Sequence, residues 1–382
     1  MEDLAVYVHF PWCLRKCPYC DFATSPRARD EVEHDAYAEA VLRELAFRAP
    51  ELEKRRLCSV FFGGGTPSLW RPSALGSVLS AIRERAGAEA SDLEVTVECN
   101  PSSLDEAGAH ALCVQGVNRF SVGVQSLDDA ELRFLGRLHD RQQALAALSA
   151  ARTTGARVSA DLMFALPKQT SESVAAQLDE LLALGLEHLS AYALTIEAAT
   201  PFGADLRKGR LKPAPDELYA LLFESIEDHL GQRGLSHYEV SNYARCGQES
   251  RHNQHYWRGA QYLGLGAAAV GCLAAPAGAR RYRNHPDAVR YMQRASSSQV
   301  EVFAEALGPE DLIREAFMLG LRTREGVCLA SLGERVGRDP RVGRAATLAK
   351  RLAAGDLVLE GTRLRVPLAC WLRLDGIVAD LF

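Results

Sequence analysis

The sequence has no basic block, no internal repeat, no low-complexity tract and no second pair of metal-spaced cysteines or histidines beyond one cysteine trio. Each absence excludes something. Lysine and arginine number 44 against 49 aspartates and glutamates, a net charge of −5, so neither a general nucleic-acid surface nor attraction to an anionic bilayer is expected. The opening MEDLAVYVHFPW is acidic where a secretory leader is basic, and its apolar run is short, so a cytoplasmic rather than an exported protein is expected. The missing repeats and charge blocks argue against a solenoid and against disorder. One uncharged stretch of membrane-like length exists, Tyr262 to Ala279 (YLGLGAAAVGCLAAPAGA), but its four glycines and one proline make it weakly apolar and poorly helical. It reads instead as a Gly-rich segment pressed against a ligand or a neighbouring backbone.

What remains are the proportions of an ordinary globular chain, 47 % hydrophobic and 24 % charged, with 382 residues to build one large domain and a smaller one. Seven of the ten cysteines (Cys58, Cys99, Cys113, Cys246, Cys272, Cys328, Cys370) are scattered singly, as reduced, mostly buried thiols are. Strand-like runs at 4–10, 58–63, 93–98, 119–125, 158–164, 189–195 and 238–243 alternate with amphipathic stretches such as Asp35–Phe47, Ser73–Arg85, Gln142–Thr153, Ser171–Leu184 and Asp216–Leu230. Repeated strand–helix order demands parallel strands with helices outside, so the fold class is α/β, with a barrel-like sheet over the first six or seven units. The repeat stops around 295–308. From Pro309 on, short helices and a hairpin (DLVLEGTRLRV, 356–366) have the order of a winged helix, an α+β unit. Winged helices often bind DNA, yet eleven basic against eight acidic residues from Glu310 to Arg365 is a weak bias, and no nucleic-acid partner is expected. The expected division is 1–240 for the barrel, 241–308 for a connecting, site-bearing segment and 309–382 for the C-terminal domain.

Sites in such sheets form on the loops leaving the carboxyl ends of the strands. The motifs fall there: CLRKCPYC (13–20) after the first strand, Gly63-Gly64-Gly65-Thr66-Pro67 after the second, Glu98-Cys99-Asn100-Pro101 at the third and Gln125-Ser126 at the fourth. The cysteine trio suits a zinc knot only with a fourth ligand, and nearby His9 lies inside a strand, as a packed or hydrogen-bonded residue. Three thiolates on a [4Fe–4S] cube would leave one iron open to a small molecule with amino and carboxylate groups. The glycines can serve a tight turn, with Thr66 as cap and Pro67 at the first helical position, or let bare backbone approach a ligand. Glu98, costly to bury alone, is either salt-bridged or awaits a ligand's ammonium and hydroxyls. Gln125, Arg137 and Asp161 together offer an amide, a cation for a carboxylate and an anion for ribose hydroxyls.

Cys-x3-Cys-x2-Cys at a strand end resembles the radical SAM superfamily, in which the cluster passes an electron to the sulfonium of S-adenosylmethionine (SAM). The resemblance narrows with AVYVHFPWCLRKCPYCDF, FFGGGTPSLW, VECNP, RFSVGVQSLDDAELRFLGRLHD, ADLMFALPKQT and HYEVSNYA, which look like the HemW-type haem chaperones through nearly the whole chain. That family is related to the oxygen-independent coproporphyrinogen III oxidases, which convert two propionates to vinyl groups. In those oxidases another cysteine stands one residue beyond the third cluster cysteine; here Asp21 and Phe22 follow Cys20, and the long N-terminal extension of the oxidases is missing. Both differences favour the chaperone branch. The resemblance implies a partial (β/α) TIM-like barrel and a [4Fe–4S] cluster on Cys13, Cys17 and Cys20. It implies SAM held by Tyr7, Gly64, Gly65, Thr66, Glu98, Gln125, Arg137 and Asp161, with Tyr19 against the cofactor and Thr195 as a further contact.

It also implies a haem site at the H-N-x-x-Y-W signature, present as His252, Asn253, Tyr256 and Trp257. Without the family, His252 could equally bond the backbone; with it, imidazole is an axial ligand and the flanking rings pack a porphyrin face. His255 is a spare candidate. The implied partners are haem, a haem-accepting protein such as a membrane-bound respiratory protein, and an electron donor. One departure stands out: where the family reads GAGAH, this chain has Gly266-Ala267-Ala268-Ala269-Val270, so Val270 replaces a histidine. The rivals are the oxidase activity itself and a zinc-stapled transcription factor.

Overall fold

The computed structural model describes residues 2–53, 55–87 and 92–382. Six strands, β1 (Glu2–Phe10), β2 (Arg55–Gly64), β3 (Glu94–Cys99), β4 (Arg119–Gln125), β5 (Arg157–Phe164) and β6 (His188–Ala193), lie side by side in chain order, all parallel. Helices His34–Phe47, Pro72–Ala86, Glu106–Val114, Arg141–Thr153 and Ser171–Ala183 connect them, the alternation that the sequence predicts. Helix starts are encoded locally. Asp140 with Gln143 and Thr170 with Ser173 form capping boxes, each cap worth about 1 kcal/mol.

Period-two alternation assigns the two faces of the sheet. One face, with Leu4, Val6, Val8, Phe120, Val122, Val124, Leu189 and Ala191, is buried with the helices. The opposite face presents Tyr7, His9, Ser59, Glu98, Ser121, Gln125, Asp161 and Ser190. A barrel interior is ordinarily filled by branched aliphatic side chains; this one is polar, and that makes it a lumen for ligands rather than a second core.

Two sequence expectations are corrected and one is met. The run YEVSNY (238–243) is not a further parallel strand but a hairpin of β7 (Ser236–Glu239) and β8 (Asn242–Ala244), antiparallel to each other, with β8 antiparallel to β6. The cause is local: the Glu239 carboxylate takes the Ser241 N–H at 3.1 Å and the Asn242 amide, folding the chain back after Glu239. The uncharged stretch yields β9 (Tyr262–Leu265) and β10 (Val270–Ala275), followed by β11 (Gly278–Asn284), and a Cβ on Gly264 would collide with the Val270 carbonyl, the close backbone approach expected there. The strand–helix repeat ends with the helix Asp216–Gln232, well before 295, and the sheet runs on past it: β12 (Glu301–Leu307) pairs with β11, so the order is β12-β11-β10-β9-β1-β2-β3-β4-β5-β6-β8-β7. Beyond it, helices Pro309–Gly320, Leu329–Val336 and Ala345–Ala353 pack with a three-stranded sheet of β13 (Val327–Cys328), β14 (Val358–Glu360) and β15 (Arg363–Arg365), in winged-helix order. No helix among the described residues is long and apolar enough to cross a membrane.

A buried ionic knot fastens the antiparallel strands to the parallel ones. Glu44, on the first helix and 0 % exposed, accepts from Arg48 Nε at 2.7 Å, Tyr291 Oη at 2.7 Å, Asn284 Nδ2 at 2.8 Å and Gly266 N at 2.9 Å. Arg48 also reaches Glu301 at 3.1 Å and lies 3.7 Å from the Tyr282 ring centroid. Removing one side of a buried pair strands the other charge. Glu44→Ala is expected to cost about 3–5 kcal/mol in urea denaturation, and Glu44→Gln, which keeps one acceptor oxygen, less.

Candidate functional site

The cysteine loop leaves β1 from a rigid base. The Trp12 indole packs against Phe10 and Tyr37 at centroid distances of 5.4 and 5.0 Å, and Trp70 closes the group at 5.3 Å from Phe10. Trp12–Cys13 then pairs with Ser25–Pro26, closing the loop on itself, and Cys20 N bonds Cys17 O at 3.1 Å across its turn. All three thiols are free and half-buried. Burial pushes the Cys13 and Cys20 thiols up, against which the Thr66 and Thr24 hydroxyls favour thiolate at Cys13. Arg137 Nη1 lies 3.5 Å from Cys17 Sγ. Among the described residues no three His, Cys, Asp or Glu side chains gather tightly enough to hold a single ion.

The glycines answer to their neighbours first. Gly65 N donates to Phe10 O at 2.7 Å and Thr66 N to Trp12 O at 2.9 Å, and a Cβ at residue 65 would sit 2.5 Å from that Trp12 oxygen. Gly64 has φ +106°, with the His9 imidazole 2.5 Å from where a side chain would begin. Thr66 does not cap as expected. It occupies the N-cap position of a 3-10 turn at Pro67–Leu69 without a side-chain cap bond, because its hydroxyl faces Cys13 instead. His9 is a packed strand residue: Nδ1 meets Tyr7 Oη and Nε2 meets Ala23 O, both at 3.1 Å, and burial lowers its pKa to about 4.

Around this shelf stand two carboxylates without a cation. Glu98 accepts from Gly64 N at 2.9 Å, and burial raises its pKa to about 8. Asp161 accepts from Ser121 Oγ at 3.1 Å and is likewise raised by burial. Neither forms a salt bridge among the described residues. Gln125 ends β4 at φ +67°, a strained value for a residue with a side chain. Its register slips against β5, and the irregularity is pinned by Arg137 Nη2 on Gly123 O at 2.7 Å and by His139 Nε2 at 3.0 Å from Val124 O. Arg137 Nε has no partner. Cationic, anionic and amide groups thus face one mouth, matching a molecule with an ammonium, a carboxylate and hydroxyls.

Tyr19 packs with Leu135, Met163, Leu166, Phe134 and Leu194, and its ring centroid is 6.3 Å from that of Phe202. Thr195 is exposed on the loop after β6. The H-N-x-x-Y-W residues lie further down the lumen, where the His252 ring comes within 6.5 Å of the Tyr7 ring. Their helix, Arg251–Trp257, has its first N–H groups on Glu94 at the start of β3 (Arg251 N 3.1 Å, His252 N 3.0 Å). His252 Nδ1 is 2.9 Å from Ser59 Oγ, its ring stacks on Phe61 at 4.9 Å, and burial lowers its pKa to about 3. Ser59 is five residues before Gly64 on β2, ~16 Å at about 3.3 Å per residue. Tyr256 is 42 % exposed, with its ring 6.1 Å from Trp257 and 5.2 Å from Tyr262. His255 is tied to Gln261 O at 2.6 Å and Cys58 Sγ at 3.5 Å. Val270 opens β10, opposite Arg283.

Sequence reasoning missed Thr24, Ser121, His139 and Ser190, whose hydroxyls and ring support the named residues. For the serines a signal existed, the polar alternation Ser121-Gly123-Gln125 and Ser159-Asp161 along β4 and β5.

Residues 7–181 match the family described as Radical SAM superfamily, and residues 307–373 match the HemN C-terminal domain. The fold is that of a radical SAM protein with a HemN-type C-terminal domain. The chain is 36 % identical over 324 residues to the heme chaperone HemW of Lactococcus lactis, spanning 85 % of this chain and 82 % of that one. It is 38 % identical over 279 residues to the Escherichia coli heme chaperone HemW, spanning 73 % and 72 %. At this level of likeness the chain belongs to the HemW family. It is also 39 % identical over 332 residues, 86 % and 70 % of the two chains, to the Danio rerio mitochondrial radical S-adenosyl methionine domain-containing protein 1. The coproporphyrinogen III oxidase HemN of E. coli superposes over 100 % of this chain and 90 % of its own with a TM-score of 0.82, at 23 % identity a likeness of fold alone.

Membership in the radical SAM superfamily implies a [4Fe–4S] cluster and SAM, and the orphaned donors and unpaired carboxylates of the mouth fit both. Gly65→Ala is expected to push the Trp12–Cys13 backbone away and to lower iron and sulfide content after anaerobic reconstitution at least several-fold, read against a Gly231→Ala control in open space at an ordinary φ. A carboxyl group with a raised pKa must lose its proton before it can hold an ammonium. SAM affinity of the reconstituted protein is therefore expected to rise with pH from 6 towards 8, by up to about tenfold per unit, and Glu98→Gln is expected to flatten that rise in equilibrium titrations.

Proposed function

We propose that this chain is a haem chaperone, which binds haem and passes it to an acceptor protein, with a [4Fe–4S] cluster on Cys13, Cys17 and Cys20 and exchangeable SAM in the mouth. The observation that carries this reading is kinship, across most of the chain, with proteins named heme chaperone HemW. When bound, cluster and SAM supply one-electron chemistry at a sulfonium. The residues of the chain hold and orient: Glu98 and the backbone of Gly64 and Gly65 receive the ammonium, Arg137 the carboxylate, and Asp161 and Gln125 the nucleoside, with Tyr7, Tyr19, Thr66 and Thr195 around them. For haem, His252 keeps a neutral imidazole, its Nδ1 held by Ser59 and its Nε2 left as the donor to iron, the second-partner arrangement that fixes ligating histidines. Tyr256 and Trp257 offer ring faces and Asn253 an amide. The setting is the cytoplasm, with an electron donor and a haem acceptor, such as a membrane-bound respiratory protein, as partners.

The test is anaerobic reconstitution followed by parallel incubation with haem, or with coproporphyrinogen III plus SAM and reductant. Tight haem binding without vinyl product is the expected result; steady decarboxylation overturns it. His252→Ala is expected to weaken haem at least tenfold and shift its Soret band, with the iron and sulfide of the cluster unchanged.

A further inference from the structure

Where β4, β5 and β6 begin, at the end of the lumen away from the cysteines, a cavity of about 220 Å³ opens between Arg119, Arg152, Arg157, His188, Gln248 and Glu187. No part of the mouth enters it. Arg119 is 2 % exposed, yet among the described residues its side chain makes no hydrogen bond and no ion pair. That is unusual in this chain: the other deeply buried guanidinium groups, Arg48 and Arg344, are each on a carboxylate, Glu44 and Glu310. Asp161 acts on Arg119 through charge alone and is itself bonded to Ser121, so the donors of the guanidinium are left for an occupant of the opposite sign.

The cavity wall is arranged for one. The Arg152 guanidinium lies over Gly185, its Nη1 2.5 Å from where a Cβ would be, so the absent side chain is what lets the group rest there. Arg152 also makes no ion pair among the described residues. Arg157 is shared with Glu94 at 2.8 Å and with Gln248 Oε1 at 2.9 Å. His188 contributes neither charge nor a free nitrogen: burial lowers its pKa, Nδ1 is 2.7 Å from Ser159 Oγ and Nε2 is 2.8 Å from Tyr238 Oη. Of the carboxylates around these three arginines, Glu94 is taken by Arg157, Asp161 is bonded to Ser121 and Glu187 is exposed, so the forks of Arg119 and Arg152 stay open. Guanidinium forks pair with the parallel oxygens of carboxylates and phosphates.

We propose that this cavity is a binding site for a small oxyanion, phosphate or carboxylate, held by Arg119 and Arg152 with Arg157 at its edge. The site shares no lining residue with the cysteine mouth or the His252 helix.

Isothermal titration of the full-length, cluster-loaded protein at constant ionic strength in chloride tests it, with inorganic phosphate in one arm and propionate in the other. The arm that saturates at one equivalent identifies the source of the anion. Arg152→Gln, a partly exposed position that folding tolerates, is expected to weaken binding at least tenfold, as is Arg119→Met; Arg210→Gln, an exposed arginine paired with Asp205 elsewhere on the surface, leaves it unchanged. Should Arg119→Met fail to fold, Arg152→Gln alone decides. No saturable binding of either anion, or binding indifferent to Arg152→Gln, overturns the proposal.

Discussion

The structure depends on two backbone hydrogen bonds, from Gly65 N to Phe10 O and from Thr66 N to Trp12 O. They carry the pairing of β1 and β2 past the point where both strands end, and they exist only because residue 65 has no side chain. Cys13 follows Trp12 directly, so the glycine shelf and the cysteine loop are one mechanical unit. The buried rings of Phe10, Trp12, Tyr37 and Trp70 hold it from behind, and Tyr37 Oη donates to His9 O at 2.6 Å. His9 locks the front, through Ala23 O in the loop and by contact with Gly64. A site that must present three thiolates beside bare backbone thus inherits its geometry from strand pairing, not from the loop's own preferences.

The two faces of the sheet divide the labour. Stability resides on the outer face, where aliphatic side chains meet the helices and where the Glu44 knot ties the antiparallel extension down. The inner face carries Glu98, Asp161, Arg119, Ser121 and Ser190, groups that contribute little to folding until something binds. Burial has raised the pKa of Glu98 and of Asp161, which means that each carboxylate is destabilised as an anion in the free protein. A cationic ligand relieves that cost.

Much of this was legible in the sequence, and for identifiable reasons. Parallel strands between amphipathic helices leave a period-two and a period-3.6 signal, and all six parallel strands fall within a few residues of their predicted positions. The cysteine motif is legible because cluster ligation fixes spacing. Arg137 is different: it stands fourteen residues beyond Gly123, and only the turn after the Asp129–Phe134 helix swings it back onto β4 and Cys17. The β11 segment, GARRYRN, has no alternation to read, since two of its three arginines, Arg280 and Arg281, are satisfied by Glu301, Glu305 and Glu315 on other elements. Its partner β12 was invisible for the same reason. Arg119 reads as an ordinary strand-start arginine, because the absence of a partner is a tertiary fact.

The mouth and the His252 helix are separate places on shared strands, and an aromatic column joins them. From His9, Tyr7 is bonded at 3.1 Å; Tyr7 stacks on Phe61 at 6.2 Å, and Phe61 on His252 at 4.9 Å. A column of packed rings on two adjacent strands is stiff, so it fixes the distance between the ends rather than relaying a motion. The mouth and the helix therefore approach one another at Tyr7, whose ring centroid is 6.5 Å from that of His252. Both are nevertheless registered to the same pair of strands, so any slip between β1 and β2 would misplace the glycine shelf, the cysteine loop and His252 together.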